Sequence, residues 1–258
     1  MTRCPTVVLV HGAWGGSWCW EQVIPLLEER GPRGVAADLP SVGADPGDTS
    51  GLAGDAAAVR RALDGAEGPF LVCGHSFGGM VVTEACAGRV DVAHLVYLCA
   101  FMPDAGDTLF AITGGGPAPW IEVLPDGRTI PKESHSRENG YADCDVETRE
   151  AAIARLRPQV TAPFAGVVTA AAWREIPSTY VVCSEDKSLP PTLQRGVFAP
   201  RAGEVIEIPL YRREDMAPGA TIVGPAVIAE DETSTFVSTS FDAHIDGAGS
   251  IVMERKAA

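Results

Sequence analysis

Short apolar, largely β-branched runs punctuate the first four fifths of the chain, at 6–10, 34–37, 70–73, 93–99, 179–183 and 205–208. Each is near-continuous rather than alternating, the pattern of a strand buried on both faces. Stretches with helical spacing lie between them. Residues 18–30 put Trp20, Val23, Ile24 and Leu27 on one face, 51–63 is rich in alanine, 78–87 follows a strand directly, and 191–198 precedes another. Strand alternating with helix predicts βαβ units and a mostly parallel sheet covered on both sides, an α/β fold.

Two regions break that rhythm. Residues 103–173 include a glycine- and proline-rich stretch beginning at Gly114 and a helical middle at 147–156. An insertion of this length between core strands reads as a small cap over a site. After Pro209 no strong amphipathic helix is visible. Residues 221–229 and 234–240 read as strands, and 241–246 and 250–255 flank Gly247-Ala248-Gly249, a hairpin turn. The predicted division is a body over 1–209, with its cap at about 103–173, and a β-rich segment over 210–258.

Composition narrows the function classes. At 258 residues, 46% hydrophobic and 21% charged, the chain is globular rather than disordered. No apolar run approaches the ~20 residues of a membrane helix. A net charge of −14 argues against a nucleic-acid partner and reads as a solvated surface. Seven scattered cysteines without a C-x-x-C pair form neither a zinc framework nor a disulfide scaffold. With no signal-peptide pattern, the expected setting is reducing and cytoplasmic. Neither a metal nor an organic cofactor is implied.

Chemistry concentrates at three places. Gly74-His75-Ser76-Phe77-Gly78 follows one apolar run and precedes a helical one, the strand–turn–helix context in which a G-x-S-x-G serine is lifted clear of a sheet. The helix behind it supplies N–H groups and a dipole that favour negative charge. The turn His11-Gly12-Ala13-Trp14-Gly15-Gly16 follows the first strand, where the amides of Ala13 and Phe77 would form an oxyanion hole. Cys183-Ser184-Glu185-Asp186 ends a late strand, and either Glu185 or Asp186 could orient an imidazolium.

These stretches, with Trp18-Cys19-Trp20, Leu98-Cys99-Ala100-Phe101-Met102-Pro103 and Tyr180-Val181-Val182-Cys183, resemble the α/β-hydrolase superfamily. They are most similar to its branch of plant methylesterases, salicylate-binding esterases and hydroxynitrile lyases, over about residues 6–209. The resemblance implies Ser76 as nucleophile, Asp186 as acid, Ala13 and Phe77 as oxyanion donors, and His11, Trp14, Phe101, Met102 and Trp120 around the substrate. It also implies a histidine just after the last strand. Here that strand runs into Pro209-Leu210-Tyr211-Arg212-Arg213-Glu214-Asp215-Met216, which contains none. His244 is the one histidine after Asp186, and it is the candidate base by chain order. Strand alternation sets it between Asp242 and Asp246 on a polar face. The segment from Tyr211 onward resembles the C-terminal end of hydantoinase and oxoprolinase large subunits.

The reading is a serine esterase cleaving small carboxylic esters through an acyl-enzyme, slowed by the missing post-strand histidine. Its expected partner is a small ester, with no nucleic acid or membrane and with room for a homodimer. Alternatives are a non-catalytic small-molecule binder on the same scaffold, a hydroxynitrile lyase-like enzyme, and a module whose tail docks on a large-subunit partner.

Overall fold

The computed structural model describes residues 4–142, 144–229, 234–238 and 240–256. In chain order the body carries β1 (Thr6–Val10), β2 (Arg33–Ala37), β3 (Phe70–His75), β4 (Val92–Leu98), β5 (Ile121–Val123), β6 (Thr129–Pro131), β7 (Ser178–Cys183) and β8 (Glu204–Ile208). All but the β5–β6 hairpin join one parallel sheet in the order β2-β1-β3-β4-β7-β8. This is the parallel α/β sheet expected from the alternation of strands and helices, in the α/β-hydrolase fold that the resemblance implies.

The continuous apolar runs explain the two-sided cover. Along β1, Val8 and Val10 join a core with Leu95, Tyr97, Tyr180 and Met80, while Val7 and Leu9 join a second cluster with Trp20 and Cys73. The first face is covered by α2 (Gly51–Asp64), which buries Leu52, Ala56, Val59 and Leu63, and by α3 (Gly78–Ala85), all of whose residues are buried. The second is covered by α1 (Val23–Glu28) with Ile24 and Leu27. The helix predicted over 18–30 is shorter than its spacing suggested. A 3-10 turn at Ser17–Trp20 precedes α1, and Pro25 falls in the first turn, where its missing N–H is tolerated. Residues 191–198 form one α turn followed by a π turn.

Between β4 and β7 lie a short helix at Leu109–Ile112, the β5–β6 hairpin, a turn at Glu133–His135, a helix at Val146–Arg155 and another at Ala162–Ala165. Asp145 caps the Val146–Arg155 helix, its carboxylate accepting the Thr148 N–H at 2.9 Å.

Beyond Pro209 come β9 (Leu210–Arg212), β10 (Thr221–Val223), β11 (Ala226–Ala229), β12 (Ser234–Val237), β13 (Phe241–Ile245) and β14 (Ile251–Arg255). They form two small sheets, β10-β13-β14 and β12-β11-β9. The predicted hairpin across Gly247-Ala248-Gly249 is β13–β14. Apolar residues here close a core of their own from Ile222, Ala226, Ile228, Val237 and Ala243. Ile222 and Ile228 face that tail core and do not cover the end of the main sheet, Val223 is 69% exposed, and Val205 on the edge strand β8 stays 51% exposed.

Candidate active site

Ser76 sits between β3 and α3 with φ of +51°, a left-handed conformation that costs a non-glycine residue roughly 1–3 kcal/mol. The turn is over-determined. The Ser76 carbonyl accepts from the Gly79 amide at 3.0 Å and from the Phe101 amide at 3.1 Å. Any side chain at Gly79 would run into the Phe101 carbonyl oxygen, so the helix can start this tightly only with glycine there. The oxyanion turn comes equally close. A Cβ at Gly12 would stand 3.1 Å from Ser76 Cβ and 3.1 Å from His75 Nδ1. Among the described residues, neither the Ala13 nor the Phe77 amide donates to another group.

Trp14, next to Ala13, is also left-handed, with φ of +61°. Its amide donates to Gln159 Oε1 at 3.0 Å, its indole N–H to Thr129 Oγ1 at 3.2 Å, and its carbonyl accepts from the Arg157 amide at 3.0 Å. Rings continue from here in both directions. Trp14 meets Trp120 edge-on at 5.8 Å and Phe164 at 6.2 Å, and Phe164 meets Phe77 at 5.2 Å. Trp120 in turn stacks on His135 at 4.1 Å. The aromatic series thus runs from the serine turn out to the insertion between β4 and β7.

The acid loop is built around Asp186 rather than Glu185, which is exposed. The Asp186 carboxylate accepts from the Ser188 amide at 2.8 Å, the Leu189 amide at 2.9 Å and Gln194 Nε2 at 3.0 Å. Gln194 is fully buried and also accepts the Cys183 amide at 3.1 Å, tying the loop to the end of β7. Burial lowers the pKa of His75, and the negative charge of Asp186 opposes that fall.

Two residues expected around the substrate lie elsewhere. His11 is fully buried, its Nδ1–H donating to the Gly12 carbonyl at 2.7 Å and its Nε2 accepting the Leu39 amide at 3.1 Å. Desolvation lowers its pKa, so it is a neutral brace under the turn. Met102 is fully buried in the main core. Phe101 is half-buried and packs edge-on against Phe198 at 5.7 Å.

His244 stands on β13 opposite Val252 on β14, with Nδ1 3.9 Å from Glu254 Oε1. No hydrogen bond or ion pair joins it to Ser76 or Asp186 among the described residues. The cap histidine does approach the acid loop: His135 Nε2 is 3.4 Å from Ser188 Oγ. Sequence reasoning missed Gln194, Gln159, Thr129, Ser41 and Asp55, which hold the acid loop and the oxyanion turn. A polar residue in an otherwise apolar window, such as Asp55 within alanine-rich α2, was the available signal. Among the described residues no cluster of His, Cys, Asp and Glu could hold a metal ion, and no helix is long and apolar enough to cross a membrane.

A groove of about 430 Å³ lined by Trp173, Arg174, Ser178 and Arg201 lies by the start of β7, whereas Ser76 lies beyond the end of β3. Its Arg174 is already paired with Asp104.

The profile of the alpha/beta hydrolase family matches residues 7–213. The chain belongs to the alpha/beta hydrolase family. Among curated relatives of this hydrolase, the pyrethroid hydrolase of Sphingobium wenxiniae is 31% identical over 224 residues, 79% of this chain and 79% of the relative. Methylesterase 1 of Arabidopsis thaliana is 28% identical over 230 residues, 73% of this chain and 81% of the relative. Among solved structures, a pyrethroid hydrolase from Sphingobium faniae superposes with a TM-score of 0.66 at 27% identity, covering 79% of this chain and 87% of that one. Polyneuridine aldehyde esterase shares the fold, with a TM-score of 0.68 at 23% identity over 79% of this chain and 90% of that one. The family match ends at 213, close to where the tail begins.

Proposed function

We propose that this alpha/beta hydrolase is a serine esterase acting on small carboxylic esters. The observation that carries the reading is Ser76 at φ +51°, with the oxyanion turn packed against its Cβ. Ser76 Oγ attacks the ester carbonyl, and the Ala13 and Phe77 amides receive the charge that develops on its oxygen. The tetrahedral intermediate collapses as the alkoxide departs, taking up through water the proton that the Ser76 hydroxyl gave up and so leaving as the alcohol, and water then hydrolyses the remaining acyl-serine to the acid. Preorganised donors of this kind act mainly on the transition state. The relatives named above as hydrolases and esterases support the same chemistry.

No imidazole is bonded to Ser76 or Asp186 among the described residues, which supports a slow enzyme. An oxyanion hole and substrate binding without a complete triad still leave roughly 10³–10⁴-fold acceleration over water. The same observation favours a second reading, a small-molecule binder that turns over nothing. The seven scattered cysteines, with no C-x-x-C pair, support a reducing, cytoplasmic setting.

Labelling with an alkyl fluorophosphonate and turnover of p-nitrophenyl acetate test the proposal. The expected result is label on Ser76, with label and turnover both lost in Ser76→Ala. Label without turnover would favour the binder, and turnover that survives Ser76→Ala would refute the esterase.

A further inference from the structure

Behind the oxyanion turn lies a buried polar chain with no place in the reaction as described. Gln159 is fully buried where the chain returns from the cap, bridged to Val42 on one side and to Thr129 on the other. Its Oε1 accepts the Trp14 amide at 3.0 Å and its Nε2 donates to Ser41 Oγ at 2.9 Å. Ser41 Oγ donates its proton to Asp55 Oδ2 at 2.7 Å, and the Ser41 amide donates to Asp55 Oδ1 at 3.0 Å. Ser41 and Asp55 are also fully buried.

This chain has one consistent direction. The single Ser41 hydroxyl proton goes to the Asp55 carboxylate, so the Ser41 oxygen must accept from Gln159. The Gln159 amide is therefore fixed with its nitrogen toward Ser41 and its oxygen toward Trp14. A flipped amide would set two donors against each other at Trp14 and leave a buried N–H unpaired, at roughly 1–3 kcal/mol. The Trp14 backbone held in this way is left-handed and adjoins Ala13, whose amide donates to no other group among the described residues. Strained backbone of this kind persists where its surroundings over-determine it.

We propose that Gln159 is a positioning residue for the oxyanion hole, clamping Trp14 so that the Ala13 amide points at the carbonyl oxygen above Ser76. Asp55 and Ser41 set the orientation in which the Gln159 amide does this. The inference rests on the esterase reading of Ser76. It makes Gln159 important to the transition state and not to substrate binding, because an oxyanion donor engages the charge that forms during attack.

The test is steady-state hydrolysis of p-nitrophenyl acetate and the rate of fluorophosphonate labelling in the full-length protein, with Ser76→Ala in parallel. Gln159→Leu keeps the shape and removes the acceptor. Its kcat and labelling rate are expected to fall roughly ten- to hundredfold, less than the loss of a whole oxyanion donor, with KM within about twofold. Should Gln159→Leu fail to fold, Ser41→Ala leaves Gln159 in place, frees its amide to turn over, and is expected to lower kcat at constant KM. A folded Gln159→Leu with wild-type kcat, or one whose loss falls on KM and not on kcat, overturns the inference while a dead Ser76→Ala leaves the esterase reading standing. Turnover that survives Ser76→Ala overturns both.

Discussion

The serine turn and the segment after Pro209 are built by opposite means. At Ser76, residues far apart in the chain converge: the turn after β1, the turn after β3, the segment after β4 at Phe101 and, through Trp14, the segment before β7 at Gln159. After Pro209, short strands pair with near neighbours and bury a small core of their own. Its cross-segment backbone bond in the described residues is the Val227 amide to the Pro209 carbonyl, at the junction itself. A site assembled from long-range contacts depends on the whole body. A locally closed segment can be altered without reaching that site. Where the resemblance calls for a histidine loop, this chain has the beginning of such a segment.

The comparison is sharpest in the two cores. Leu95, on β4 of the main sheet, is fully buried, and Leu95→Ala is expected to lower global stability by about 2–5 kcal/mol in denaturant titration. Ile222, 1% exposed in the tail core, is expected on truncation to alanine to loosen the tail strands in hydrogen exchange while leaving fluorophosphonate labelling at its wild-type rate. Slower labelling in Ile222→Ala would show that the two regions are coupled.

A next-smaller effect belongs to the buried carboxyl behind the oxyanion turn. Burial raises the Asp55 pKa from 3.8 to about 6. The folded state therefore binds more protons than the unfolded one between those values, and this group's contribution to stability falls as pH rises through that window, by roughly 3 kcal/mol in all. Thermal unfolding between pH 4 and 7 should show the wild-type protein losing stability relative to Asp55→Asn as pH rises. A constant difference would mean that Asp55 does not titrate there.

The smallest effect concerns the tail histidine. With His244 beside Glu254 on β13, His244→Ala is expected to label at Ser76 and turn over p-nitrophenyl acetate within about twofold of wild type, as surface substitutions generally do. His135→Ala is the informative contrast, because that ring lies against Ser188 in the acid loop and under Trp120. Loss of its stack is expected to raise KM by roughly two- to tenfold, the scale of one aromatic contact.

What the sequence made legible follows from how local each signal is. The parallel sheet follows from continuous apolar runs, and Ser76 from a five-residue motif with the right flanks. The β13–β14 hairpin follows from glycines between alternating strands. His11 and Met102 were misplaced because sequence neighbours of a site need not face it. The His11 ring turns back to the Leu39 amide, and Met102 packs inward. Asp55 stands out as a polar residue within alanine-rich α2, but its link to Gln159 is not readable because the partners lie far apart in the chain; Gln159 meets Ser41 across 118 positions. The predicted tail strands were visible, but the choice between covering the main sheet and closing on themselves is tertiary.

The most direct test is a crystal structure of the protein after reaction with an alkyl fluorophosphonate. The account predicts a phosphonyl group on Ser76 Oγ, with its free oxygen about 2.7–3.1 Å from the amide nitrogens of Ala13 and Phe77. An adduct on another residue, or a phosphonyl oxygen turned away from both amides, would contradict it.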